Sequence, residues 1–205
     1  MAWAPSYATA EELKAYTRIP DGNDDAQLDL AISAASRAVD RFCNRQFGLV
    51  AAAEARYYTP RFDRKRRKWV VEHDDLMTIT GLVVMADLGD DGTYESEVDN
   101  YALRPVNAAA KSRPWTFLVV QPASTTIPVA DEASVEITAK WGWSAVPDPV
   151  KQATILQASR LLKRRDAPFG VAGSPDAGSE IRLLAKVDPD VAVVLNPYIR
   201  WWGAA

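Results

Sequence analysis

A chain of 205 residues, 48% hydrophobic and 25% charged, has the make-up of an ordinary globular protein and is long enough for one large domain or two small ones. Its formal net charge of -3 is too small to point by itself to a nucleic-acid or acidic-substrate partner. The single cysteine, Cys43, excludes an internal disulfide and a multi-cysteine zinc site, which suits a reducing compartment or a particle assembled in one.

The N-terminal residues show no cationic segment followed by an apolar run, and no stretch approaches the roughly 18 apolar residues of a membrane span. The expectation is a soluble protein made in the cytoplasm. Thr9-Ala-Glu-Glu12 reads as a capping box, in which the Thr9 hydroxyl serves a free backbone N–H and Glu12 reaches back. A short helix should follow to about Thr17, with Leu13 and Tyr16 inward, broken by Arg18-Ile-Pro-Asp-Gly-Asn23. Asp24 then caps a second helix, with Gln27 completing a box. Leu28, Ala31, Ile32, Ala35, Val39 and Phe42 keep helical-face spacing, while Ser33, Arg37, Asp40, Arg41 and Arg45 fall largely elsewhere. Each large side chain buried gains roughly 1.5–3 kcal/mol, but ordering a residue costs roughly 1–2 kcal/mol of backbone entropy. Such a helix needs a partner.

From about Arg56 to Trp141 the pattern changes. Arg56-Tyr-Tyr-Thr, Lys68-Trp-Val-Val, Met77-Thr-Ile-Thr-Gly-Leu-Val-Val-Met, Thr93-Tyr-Glu-Ser-Glu-Val, Tyr101-Ala-Leu, Trp115-Thr-Phe-Leu-Val-Val and Ser134-Val-Glu-Ile-Thr-Ala-Lys-Trp are rich in β-branched and aromatic residues and read as strands. Asp90-Asp-Gly92 suits a hairpin turn, and Pro105, Pro114, Pro122 and Pro128 punctuate the rest.

Helical sequence resumes at Asp148, which caps, followed by Pro149 at the first helical position, where no donor is needed. Lys163, Arg164 and Arg165 meet the carbonyl end of that helix dipole. Val150, Ala153, Leu156 and Leu161 lie near one face, and Ile155, Ala158 and Leu162 widen it, so this helix wants neighbours on more than one side. Residues 167–178 read as a mobile loop. Asp188-Pro-Asp-Val-Ala-Val-Val-Leu-Asn196 gives a last short helix stopped by Pro197. The fold class expected is α+β. One helical domain is formed by the N- and C-terminal parts of the chain, residues 1–54 and 143–205, around an inserted antiparallel β domain at 55–142.

Little in the sequence points to catalysis. The one histidine, His73, lies within Glu72-His-Asp-Asp75; neighbouring side chains on a strand alternate faces, so a solvated polar turn is expected in place of a metal cluster. Asp87 to Val98 has Gly92 at the sixth position of a calcium-type loop, but Gly89 and Val98 stand where ligands are needed. Gly170, Gly173 and Gly178 lack the following Lys-Ser/Thr and the preceding strand of a phosphate loop. With one histidine no catalytic triad can be assembled. The expectation is a protein that is not an enzyme, with no catalytic, cofactor or metal residues.

Two features do suggest contacts. Arg64, Lys65, Arg66, Arg67 and Lys68 form a cationic run beside Trp69. It reads as a solvated loop, a dock for an acidic protein surface, or a module that binds nucleic-acid phosphates with a base stacked on the tryptophan. Trp201 and Trp202 sit near the chain end, where fraying is usual. Either they fold back on the chain's own core or they anchor in another subunit, since a buried tryptophan removes about 150–250 Å² from water.

Two stretches carry a family resemblance. The first is Ala8-Thr-Ala-Glu-Glu-Leu-Lys-Ala-Tyr, continuing through Asp24-Asp-Ala-Gln-Leu-Asp-Leu-Ala-Ile-Ser to Arg45-Gln-Phe47. The second runs from Gly142-Trp to Arg165-Asp-Ala-Pro-Phe-Gly, then from Val187-Asp-Pro-Asp-Val to Pro197-Tyr198. In this order they resemble the head-to-tail connector (adaptor) proteins of long-tailed double-stranded DNA bacteriophages and related gene-transfer particles. The resemblance implies a homo-oligomeric ring, commonly of twelve copies, under the portal protein in the neck of the virion. Such a ring extends the channel through which DNA passes without specific binding, and it docks the next neck or tail protein. It implies portal contacts for Tyr198, Ile199, Arg200, Trp201 and Trp202. Leu28, Ile32, Val39, Ile155 and Leu162 are the candidates for packing between ring subunits, on helices that would lie side by side around the channel. Short members of the family are nearly all helical, so the β block at 56–141 departs from the pattern.

Overall fold

The computed structural model describes residues 5–18, 24–166, 171–172, 181–182 and 189–201. Their architecture is α+β, and the chain divides into two compact units. One comprises Met1–Phe47 with Val146–Ala205, the other Gly48–Ala145.

The first unit is helical. Helix α1 (Ala10–Thr17) starts on the Thr9–Glu12 capping box: the Glu12 N–H donates to the Thr9 hydroxyl at 3.2 Å, and the Thr9 N–H donates to the Glu12 carboxylate at 2.9 Å. Helix α2 (Asp25–Cys43) begins after Asp24, whose carbonyl accepts from the Gln27 and Leu28 N–H groups. The Asp24 side chain makes no capping bond, so the second box expected with Gln27 is not the device used there. At its other end Asn44 turns left-handed, at φ 51°, a conformation that asparagine tolerates. Helix α3 (Asp148–Asp166) opens with Pro149 in its first turn. Helix α4 (Pro189–Leu195) runs into a single 3-10 turn, Asn196–Tyr198.

Helix α3 packs on both α1 and α2. Leu13 of α1, Leu28, Ala31, Ile32 and Ala35 of α2 and Ala158 of α3 form one buried cluster with Ala8, and Ile155, Leu161 and Leu162 close over it. The alanines keep both helix surfaces low, so the backbones come close and the large side chains interdigitate around them. Glu12 has a second role beyond its cap. The Lys151 ammonium lies 2.8 Å from its free oxygen, tying the start of α1 to α3.

The second unit holds two four-stranded antiparallel sheets. One has the order β1 (Glu54–Tyr58), β8 (Val135–Ala139), β4 (Val83–Ala86), β5 (Ser96–Glu97). The other has the order β2 (Arg61–Asp63), β3 (Lys68–Leu76), β7 (Trp115–Val120), β6 (Tyr101–Arg104). Buried Val71, Leu76, Leu118, Val120, Val84, Val98, Val135 and Ile137 supply the apolar interior. The strand expected from Met77 to Met85 begins only at Val83, because Gly81 at φ +74° turns the chain and leaves Ile79 exposed. The short strand β2, bounded by Pro60 and the cationic run, has too little pattern to stand out in sequence.

Trp141-Gly-Trp143 locks this unit. The Trp141 indole donates to the Glu54 carbonyl at 2.9 Å, the Trp143 indole to the Asp75 carboxylate at 2.7 Å, and the Gly142 N–H to the Asp75 carbonyl at 2.7 Å. The Trp143 N–H reaches the Gly48 carbonyl at 2.8 Å. His73 and Asp75 are therefore not part of a solvated turn: both are buried on β3, where His73 lies 5.9 Å from the Trp141 ring. A short antiparallel pair, β9 (Val171–Ala172) and β10 (Ile181–Arg182), lies within the stretch after α3. The rest of the loop expected at 167–178 is outside the described residues.

Gly142 has φ +107°, and a Cβ added there would stand 2.0 Å from the Gly48 carbonyl oxygen, a backbone atom with no rotamer to yield. Gly142→Ala should therefore cost at least about 3 kcal/mol in urea unfolding, through combined strain and overpacking. A loss under about 1 kcal/mol would contradict this packing.

Candidate assembly surfaces

The C-terminal segment is positioned by a buried polar centre around Tyr7. The Tyr7 hydroxyl donates to the Asp40 carboxylate on α2 and accepts from the Phe47 N–H at 2.8 Å, while the Tyr7 N–H donates to the Ser36 hydroxyl at 3.1 Å. Arg37 pairs with Asp40 at 2.8 Å and stands over the Tyr7 ring. Burial raises the Asp40 pKa, and the bond from Tyr7 and the charge of Arg37 offset this only in part. Burial and the neighbouring Asp40 likewise raise the Tyr7 hydroxyl above its usual range, so it remains a donor. Cys43, late in α2, is buried and its thiol is pushed up to about 12 by desolvation, which keeps it protonated and unreactive.

From this centre the structure leads to the tail. The Phe47 ring meets Tyr7 edge-on at 5.7 Å and Tyr198 at 5.9 Å. The Arg200 N–H donates to the Cys43 carbonyl at 2.8 Å, and the Arg200 carbonyl accepts from Asn44 at 3.4 Å. Of the five residues expected to reach the portal, Tyr198 and Ile199 are half-buried and Arg200 is only 5% exposed, all on the chain's own helical unit. Trp201 differs, at 81% exposed. Trp202 lies outside the described residues. The short tail is thus a fixed stem that presents an aromatic side chain.

The residues expected to pack ring subunits together do not behave as one set. Leu28, Ile32 and Val39 are buried inside the single chain and have no surface to offer another copy. Ile155 and Leu162 on α3 are half-buried and keep an outer edge. Among the described residues, the large apolar side chains of the helical unit that are exposed besides Trp201 are Tyr16, which was expected to face inward, Leu30 on α2 at 71%, and Val193 and Val194 on α4 at 75% and 39%. Sequence spacing does not separate Leu30 from its buried neighbours by hydrophobicity, only by its angle on the helix.

The cationic run forms the turn between β2 and β3. One Asp63 oxygen accepts from the Lys65 and Arg66 N–H groups, each at 3.0 Å, and the other from the Arg66 guanidinium at 3.2 Å. These bonds hold the Asp63 carboxyl below its usual pKa. Arg64, Lys65, Arg66 and Arg67 are exposed, whereas Lys68 lies against the sheet with its ammonium 2.9 Å from Gln121. Phe62 and Trp69 meet edge-on at 5.3 Å across the hairpin.

Among the described residues no group of three or more His, Cys, Asp or Glu side chains is placed to hold a metal. In the segment that superficially matched a calcium loop, both Asp87 oxygens accept backbone N–H bonds, from Gly89 at 2.9 Å and Gly92 at 2.8 Å. Burial acts to raise its pKa, but those bonds outweigh it and the net direction is downward.

No protein-family model matches the sequence, and no curated protein matches it significantly. Among solved structures the chain matches one from the neck of an empty GTA (gene transfer agent) particle, computed with C6 symmetry. The alignment covers 100% of this chain and 96% of that one, with 21% identity and a TM-score of 0.50. The chain shares its fold with a neck component of a gene transfer agent particle. The likeness spans the helical and β units together, so the β block that departs from the short connectors has a counterpart in a particle neck.

Tyr7→Phe tests the polar centre behind the tail. It removes a donor to Asp40 and the acceptor for the Phe47 N–H, and should cost about 1–3 kcal/mol in denaturant unfolding. Because the native Asp40 pKa lies above its unfolded value, its contribution to stability is present at low pH and lost as pH rises through the native value. Loss of the Tyr7 bond, which lowers that value, should move this window upward in a carboxyl NMR titration. An unshifted Asp40 and unchanged stability would show that the hydroxyl is not bonded as described.

Proposed function

We propose that this protein is a structural head-to-tail adaptor of a tailed bacteriophage or gene-transfer particle. Copies form a ring in the neck beneath the portal, extend the DNA channel, and offer a platform to the next neck or tail protein, a stopper or tail terminator. The observation that carries this reading is the likeness over nearly the full length of both chains to a neck component, joined to the connector pattern in the two helical stretches. Sixfold symmetry in the neighbour's neck is compatible with twelve copies here, since a ring of twelve obeys a sixfold axis. The role is architectural, with no reaction and no cofactor, and its place is the virion after synthesis in the host cytoplasm. The net charge of -3 suits a channel along which DNA slides without specific binding.

Portal docking falls to the end of the tail. Trp201 projects from a stem whose preceding residues are bonded to α2, so its placement costs little conformational entropy on binding. Tyr198, Ile199 and Arg200 support that stem, and Trp202 would extend the anchor. Ring contacts fall to the outer edges of Ile155 and Leu162 together with Leu30 and Val193.

Trp201→Ala should leave unfolding unchanged within about 0.5 kcal/mol and weaken portal binding by about 30-fold, the scale of an aromatic hot spot. Mass measurements in solution with and without portal report the binding. Full-strength binding by the variant would remove the anchor, and a chain whose mass never changes with portal present would remove the adaptor reading.

A further inference from the structure

The β unit carries two projections of opposite charge, and neither the fold nor the adaptor reading accounts for them. Residues 61–68 hold six Lys or Arg among eight positions, in and around the β2–β3 turn. Residues 87–99, the connection from β4 through β5, hold six Asp or Glu among thirteen positions and no Lys or Arg. Strand β2 is the edge of one sheet and β5 the edge of the other. Within the described residues the two do not neutralise each other: Arg61, Arg64, Lys65 and Arg67 have no ion pair, and Asp90, Glu95 and Glu97 have no cationic partner.

Each projection is also built to hold its shape. Asp63 ties down the cationic turn through two backbone N–H bonds, and Asp87 and Asp91 tie down the acidic connection through bonds from Gly89, Gly92 and Thr93. Each exposes an apolar side chain among its charges, Phe62 on the first and Leu88 on the second, both about half exposed. A rigid charged rim around an apolar centre is the make-up of a protein–protein contact, in which charge sets orientation and the apolar group is desolvated. A nucleic-acid site accounts for the cationic turn alone and leaves the acidic connection without a role.

We propose that the cationic β2–β3 hairpin of one copy docks on the acidic β4–β5 connection of the next. The occupant is a second copy of this chain, because the complementary charge is on the same polypeptide at a different edge. Different patches meeting in this way make a head-to-tail contact, which closes into a ring when the rotation per subunit is right. The proposal rests on the ring reading and assigns the contact that sets its order. It also gives the β block a purpose: its sheet edges add a charge-matched link between neighbours to the apolar ring contacts of the helical unit.

The test uses full-length protein assembled on portal, with mass photometry as readout. Arg64→Glu with Lys65→Glu, and separately Glu95→Lys with Glu97→Lys, should each lower ring occupancy at least about tenfold. Both pairs are exposed positions whose side chains make no internal bond, so folding is checked simply by an unchanged unfolding midpoint. All four changes in one chain should restore rings, since the charges again match with their signs exchanged. Raised salt should dissociate wild-type rings and leave monomers folded. Rings that persist in both charge-reversed pairs would overturn this contact and leave the adaptor reading standing. Wild-type protein that forms no ring on portal would overturn both. Wild-type monomers that bind duplex DNA through the hairpin, with affinity lost in the first pair only, would replace this proposal with a nucleic-acid site.

Discussion

The apolar stripe of α2 must be covered by something, and in this chain α3 covers it, with α1 closing one end. Leu28 and Ile32 are each worth roughly 1.5–3 kcal/mol when removed from water, and their burial needs a helix about 105 residues further along the sequence. Once α2 is used in this way it has no apolar face left for a neighbour, apart from Leu30 on its far side. Any assembly built from these chains therefore relies on surfaces other than the most hydrophobic helix face. A helix face ideal for subunit packing by composition is consumed inside the subunit.

The same packing fixes where the chain end emerges. The last turn of α2 supplies the Cys43 carbonyl and Asn44 that hold Arg200, and Asp40 on the same helix anchors Tyr7 and, through it, Phe47 and Tyr198. The apolar stripe of α2 thus runs directly into a polar end, from Val39 to Asp40, that steers Trp201. In the β unit the corresponding constraint is Trp141-Gly-Trp143, which joins the Gly48 and Asp75 backbones through one glycine that no other residue can replace without displacing a carbonyl.

Several elements were legible in the sequence because their signals are local. The Thr9–Glu12 box, the Asp-Pro start of α3 and the period of α2 depend on residues within a turn or two of each other, and the structure shows all three elements. The β-branched runs gave strands, except where Gly81 interrupted one, where Thr93–Val98 formed strand only at Ser96–Glu97, and where β2 was too short to register. What could not be read is long-range: Tyr7 sits 33 positions from Asp40 and 40 from Phe47, and nothing near it in sequence marks it as a hydrogen-bonding centre. His73 and Asp75 looked solvated because their neighbours are charged, yet Trp143, 68 positions away from Asp75, makes the site a buried one. Leu28, Ile32 and Val39 are buried within the single chain, which sequence alone does not show, since an apolar stripe indicates that a surface is covered without indicating by which chain.

Helix α2 is covered within one polypeptide, before any assembly. Hydrogen exchange on the free monomer, followed by mass spectrometry of peptides spanning 25–43 and 148–164, tests it most directly. Strong protection of both helices is expected in the monomer, with little added by ring formation. Fast exchange of α2 in the monomer, slowed only on assembly, would mean that its apolar stripe is covered by a neighbouring copy instead.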